Sequence, residues 1–367
     1  MVKHLAFAAL WTLSLLACHD SAVDTALPEI VASSKYIDYS PYADASVLCM
    51  DDTLAAEDRF IEEVAAFLGV GTPSGRIRFI WDPRQKLGNM QTWACEGIAS
   101  SCYVYDEAKD LGLIRSVGFV EYHELVHAVD IPVLGEGHRT LVEGLAEYLG
   151  SSQSTEDILK GFPEAFKAMV ARAPQPDDYR LAMHFVGSIL RDHGVDRYKS
   201  LRKELAADGD LEAFETTFEA VYGETLSAAL IAMSEVAIQG KIQDTCVTGG
   251  QEELNWTSPG LLETTLRGEC GDPTFIGPGF ADSRDGFVKS YIVEITEAGF
   301  YDLTVTGPGL PSEQPSYSMR PCPGVETGVE SAGGGLYPGR YELGVGFPAG
   351  PEARGEAAMR LELVVPF

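Results

Sequence analysis

Five consecutive residues carry the sharpest chemical signal in this 367-residue chain: His123, Glu124, Leu125, Val126 and His127. On an α-helix, residues four apart share a face, one turn above the other. Two imidazoles so placed can chelate one metal ion, and zinc is the usual occupant of such a pair. Glu124 is offset by about 100° around the helix, which sets a carboxylate beside the metal. From there it can hold a water and take its proton. A structural zinc uses four protein ligands and has no need of that carboxylate, whereas a catalytic zinc uses three and keeps one position open. The pentapeptide therefore points to hydrolysis and calls for a third ligand.

Candidates for that ligand follow directly. Residues 133–138 read as a short glycine-containing loop that ends on His138. Residues 140–149 then have the pattern of a second helix stopped by Gly150. Glu143 and Glu147 lie four apart on one of its faces.

The pattern His123-Glu124-x-x-His127, followed by Glu143-Gly144-Leu145-Ala146-Glu147-Tyr148, resembles the gluzincin metallopeptidases. In that group a second helix carries the third zinc ligand, commonly in an N-E-G-F-A-like string. The resemblance implies Glu143 as the ligand and Glu147 as a carboxylate that orients a ligand imidazole and fixes its tautomer. The gap between His127 and Glu143 is shorter than is usual in the group. Counting alone would choose Glu147, and His138 is a further alternative. The metzincin arrangement fails, because its third histidine position is Val133 here. The family also implies one catalytic Zn²⁺, a peptide or protein substrate, and a Tyr or His donor for the oxyanion. Tyr179 and His184 are candidates for that donor, and Tyr148 is a weaker one. A G-x-M-E-N string, which binds a free N-terminus in aminopeptidase relatives, does not occur, and this favours an endopeptidase.

The elements that must position these residues form an α+β pattern. Strand-like segments at 34–39, 77–81 and 102–105 come first. Apolar residues at helical spacing predict a buried helix over 114–131, stopped by Pro132. Further helical patterns cover 179–190 and the segment marked by Phe214, Phe218 and Val221. A small sheet, two metal-bearing helices and a helical half resemble the zincin-like catalytic domain of the peptidase MA group, expected here over 34–240. Beyond it helical periodicity ends. Residues 245–367 are rich in Gly and Pro, with alternating runs at 288–295, 299–306, 339–346 and 358–365, which predict an antiparallel β-sandwich. Its turn–strand phrases around Gly299-Phe300-Tyr301 and Pro338-Gly339-Arg340-Tyr341 resemble pre-peptidase C-terminal domains.

The N-terminus supplies an address. Lys3 precedes an apolar run that ends at Ala17, too short for a stable membrane span and suited to a signal peptide over 1–17. Leu15-Leu16-Ala17-Cys18 resembles a bacterial lipobox, which implies lipidation at Cys18 and a tether over 18–33. His19 stands directly after that cysteine, where an inner-membrane-retaining aspartate would stand. The expected location is therefore the bacterial cell envelope, at the outer membrane. Cys49, Cys95, Cys102, Cys246, Cys270 and Cys322 remain, an even set that reads as three disulfides in an exported chain. With three in each half, at least one bond links the halves. Local pairing favours Cys95 with Cys102 and Cys270 with Cys322, leaving Cys49 for Cys246.

Charge excludes two partner classes. Asp and Glu total 55 against 27 Lys and Arg, a formal net of −28. Such a surface repels nucleic acid and anionic lipid, so membrane contact is expected only through the anchor. Two other functions fit the same residues. One is a surface-anchored binding or structural lipoprotein with a non-catalytic metal site. The other is a metal-dependent hydrolase of non-peptide amides or esters.

Overall fold

The computed structural model describes residues 27–42, 49–82, 101–151, 153–172, 174–241, 251–279, 286–307, 317–322, 335–348 and 354–366. Cys18, Cys95 and Cys246 lie outside the described residues, as do the signal-peptide segment 1–17 and most of the tether 18–33. No helix among the described residues is long and apolar enough to cross a membrane.

The chain is of mixed α+β class. Its first half builds a five-stranded sheet from β1 (Ala32–Ser33), β2 (Ile37–Pro41), β3 (Arg76–Trp81), β4 (Ser101–Asp106) and β5 (Leu111–Ser116), in the order β1-β2-β3-β5-β4. The three inner strands are parallel, and both edge strands run antiparallel to their neighbours. The parallel step from β2 to β3 needs a crossover, which α1 (Met50–Leu68) supplies. Ordered sheet thus begins inside the segment read as a tether, and Arg78 donates to the carbonyl of Pro28 at 2.6 Å.

The metal-motif helix, α2 (Tyr122–Leu134), lies against α1 and β4, and α3 (Arg139–Gly150) packs on α2. The predicted helix over 114–131 needs correction at both ends. Residues up to Ser116 belong to β5, and the helix continues past Pro132. β5 lies between two strands and has side chains buried on both faces, so its apolar residues mimic helical spacing instead of alternating. Pro132 falls in the last turn and removes one N–H, and Gly135 N still bonds Ile131 O at 2.9 Å.

The helical half comprises α4 (Phe162–Val170), α5 (Tyr179–Glu204), α6 (Leu211–Tyr222) and α7 (Leu226–Met233). Asp210 caps α6 and Thr225 caps α7 through side-chain oxygens. α3 crosses α5 closely at Gly144, where a Cβ would stand 2.5 Å from the carbonyl oxygen of Ala182. It also meets α2 closely at Gly150, where a Cβ would stand 2.7 Å from the backbone N of His123. Two glycines of one helix thus let it press against both neighbours, which brings Glu143 and Glu147 up to the histidines. One hydrophobic core unites these elements, from Tyr36 to Ile238.

A second core gathers residues from Leu254 to Leu361, together with Cys49. Two sheets contribute to it. One has the order β12-β10-β14-β7, from β7 (Leu261–Glu269), β10 (Gly299–Thr306), β12 (Gly335–Leu336) and β14 (Arg354–Pro366). The other has the order β11-β13-β9-β6, from β6 (Glu252–Leu254), β9 (Gly286–Ile295), β11 (Tyr317–Pro321) and β13 (Gly339–Pro348), with β8 (Phe275–Gly279) also on β9. Alternate residues of β14 (Ala357, Met359, Leu361) are buried and those between them exposed, as a one-sided strand requires. Pairing is antiparallel except between β6 and β9, which run parallel.

The disulfide Cys49–Cys270 closes a sequence separation of 221 residues. This corrects the local pairing of Cys270 with Cys322 and the remainder of Cys49 with Cys246. Cys49 opens α1 and is buried in the second core, so it meets the end of β7 directly. The same face of α1 accepts two backbone hydrogen bonds, Gly271 N to Asp52 Oδ2 at 2.6 Å and Gly277 N to Thr53 Oγ1 at 3.1 Å. Cys102 and Cys322 are each in a disulfide as well, with partners outside the described residues.

Candidate metal centre

α2 and α3 lie side by side and turn three donors toward one another. Glu143 Oε2 stands 3.2 Å from His123 Nε2 and 3.6 Å from His127 Nε2. Ligands held at zinc distance in a tetrahedron are separated by about 3.3–3.5 Å, so these spacings suit a single ion. Two neutral imidazole nitrogens and one carboxylate oxygen are also the donor set that a catalytic zinc takes. Among the described residues no other three histidine, cysteine or carboxylate side chains converge in this way. The side chains of His123, His127 and Glu143 are 15%, 8% and 14% exposed, so the site is largely desolvated but not sealed from solvent.

The supports are specific to each ligand. His123 Nδ1 lies 3.2 Å from Glu147 Oε2, on the ring edge away from Glu143. The Tyr179 ring stacks on His123 at 5.7 Å between centroids, and the two histidine rings meet edge to face at 4.9 Å. Arg139, one turn before Glu143, approaches its Oε1 at 3.4 Å and donates to the Tyr179 hydroxyl at 3.3 Å. Burial opposes charge on His123, but Glu143 and Glu147 on its two nitrogens, with Glu124 nearby, raise its pKa well above the usual value. Burial also opposes charge on Glu143, and its contacts to His123 and His127 outweigh this and lower its pKa.

Glu124 sits one residue along from His123 and is buried. Ser101, the first residue of β4, donates to its Oε1 at 2.8 Å. Glu121, just before α2, accepts from Ser116 Oγ at 3.0 Å. Burial, with Glu124 as a neighbour, pushes the Glu121 carboxyl up to about 7. Glu57 on α1 is pushed well above the usual range for the same first reason. Glu124 thus has Glu121 as a carboxylate neighbour, and Glu121 in turn has Glu57.

Two candidates do not reach the site. His184 is fully buried, with Nδ1 2.7 Å from Thr155 Oγ1 and Nε2 3.0 Å from the carbonyl of Met233. Both nitrogens are committed in the core, which corrects its reading as an oxyanion donor. His138 caps α3, accepting from Thr140 N at Nδ1, and its Nε2 lies 3.0 Å from the Gly209 carbonyl. It too has no nitrogen left for a metal. Tyr179 does stand at the site, and burial with Glu143 nearby raises its hydroxyl to about 12, so it stays protonated.

Sequence reading missed Ser101, Glu121 and Asp130. Asp130 follows His127 by three residues, on the same helix face, and that spacing was the available signal. Compared with known protein families and with curated proteins, the chain matches none of them, so the site's own geometry carries the functional reading.

Proposed function

We propose that this chain is a zinc-dependent hydrolase that cleaves peptide bonds. The observation that carries the reading is the convergence of His123 Nε2, His127 Nε2 and Glu143 Oε2, with Glu124 alongside. A zinc ion held there supplies a Lewis acid that polarises a carbonyl and brings the pKa of a water toward about 7. Glu124, fixed by Ser101, takes the proton of the attacking water and delivers it to the departing nitrogen. Glu147 accepts the Nδ1–H of His123 and leaves its Nε2 lone pair free to ligate. Arg139 holds one oxygen of Glu143 and leaves the other turned to the histidines. Tyr179, protonated and stacked on His123, is placed to donate to an oxyanion.

The same water activation would serve a non-peptide amide or ester. A peptide is preferred because the Glu143–Tyr148 string resembles that of the gluzincin peptidases. In this reading residues 34–240 form a zincin-like endopeptidase unit. Residues 245–367 form a β-sandwich accessory unit similar to pre-peptidase C-terminal domains. Residues 1–17 direct export, and Cys18 carries the lipid that holds the chain to the outer membrane.

The test is Glu124→Gln in the mature chain, assayed on a peptide library by mass spectrometry. The substitution leaves the three ligands in place, so zinc content should be unchanged while turnover falls about 10²–10⁴-fold. Undiminished hydrolysis by this variant would remove the proposed mechanism.

A further inference from the structure

His127 has an unmet need on its far side. Its Nε2 faces Glu143, and its Nδ1 is shielded from solvent with no hydrogen-bond partner. Asp130, fully buried on the same helix, has the same deficit at Oδ1. The two atoms lie 4.0 Å apart. Neither is in reach of bulk water, and each is the kind of atom the other lacks.

Asp130 is not free to turn elsewhere. Its Oδ2 accepts from Arg202 Nη1. Arg202 is itself buried and anchored, with Nη2 donating to the Gly135 carbonyl at 2.7 Å and Nη1 to the Tyr198 hydroxyl at 3.3 Å. Tyr198 in turn donates to the carbonyl of Leu141 at 3.0 Å. The chain of contacts thus joins α5 to the end of α2 and the start of α3. A buried ion pair of this kind is poor value as pure stabilisation, because desolvation offsets most of the attraction. It does hold one carboxylate oxygen at a fixed place behind His127.

We propose that Asp130 is the positioning residue for His127: its Oδ1 accepts the Nδ1–H, which leaves the Nε2 lone pair directed at the metal position shared with Glu143. A shift of about 1 Å in the ring is enough to close the gap to hydrogen-bonding distance. The inference rests on the metal-site reading above. It gives each histidine its own carboxylate, Glu147 from α3 for His123 and Asp130 from the same helix for His127.

The experiment is a competitive chelator titration of zinc with the mature full chain and two double variants, Asp130→Ala with Arg202→Met and Asp130→Asn with Arg202→Met. Both remove the ion pair without stranding the arginine, so both can fold, which circular dichroism checks. Only asparagine retains an acceptor oxygen. Zinc affinity should fall about 10–100-fold in the alanine variant and stay within about threefold of wild type in the asparagine variant. Equal affinities in the two variants, beside normal wild-type binding, would overturn this inference alone. A wild-type chain that takes up no zinc would overturn it together with the metal-site reading.

Discussion

Ser101 Oγ donates to Glu124 Oε1 at 2.8 Å, which ties the first residue of an edge strand to the proposed general base on a helix. The contact is buried, so bulk water does not compete for that carboxylate oxygen. Ser101→Ala should therefore lower kcat about tenfold, with KM and zinc content unchanged. Steady-state kinetics on one peptide checks this. An unaltered kcat would mean that Glu124 needs no such hold.

His138 offers a clean separation of ligand from cap. Its two nitrogens serve Thr140 N and the Gly209 carbonyl. His138→Ala should reduce stability by about 1–3 kcal/mol in chemical denaturation and leave the zinc stoichiometry alone. Loss of zinc without loss of stability would make it a ligand after all.

The two metal helices were legible because the four-residue spacings in His123/His127 and in Glu143/Glu147 survive any detail of tertiary structure. Which glutamate faces both histidines was not a matter of spacing. It depends on how deeply α3 is pressed between α2 and α5, and Gly144 and Gly150 allow that approach. Ser101 was out of reach of pattern reading, since 23 residues separate it from Glu124 and only sheet pairing brings them together. β5 was misread because a strand inside a sheet loses its alternation. The strands of the second half were readable, because β10 and β14 each show one face to the core and one outward.

The disulfide shows the same limit. Short loops look favourable in a sequence, yet Cys49 bonds Cys270 across 221 residues because α1 docks on the second core. Replacing both cysteines by serine should lower stability by about 2–5 kcal/mol, measured by denaturant unfolding, with zinc binding retained. No change in the unfolding midpoint would mean that the tie is redundant with the hydrogen bonds that Gly271 N and Gly277 N donate to Asp52 and Thr53.

His184 sets a pH dependence with a definite sign. Burial first, against the bond to the Met233 carbonyl, lowers its pKa to about 4 in the folded chain. In the unfolded chain it titrates near 6.5. Between those values the unfolded state binds more protons, so stability rises with pH. The contribution is fully present above about pH 6.5 and is lost as pH falls toward 4, by about 2–3 kcal/mol across the window. Thermal unfolding at several pH values, for wild type and His184→Gln, checks it. The variant should have the shallower slope, and identical slopes would refute the assignment.

The most direct test of the metal centre is zinc per chain by elemental mass spectrometry, on purified residues 19–367 of the wild type and on Glu143→Ala. The account predicts about one zinc per wild-type chain and loss of that zinc in the variant. No zinc in the reconstituted wild type, or zinc retained without Glu143, would contradict the site formed by His123, His127 and Glu143.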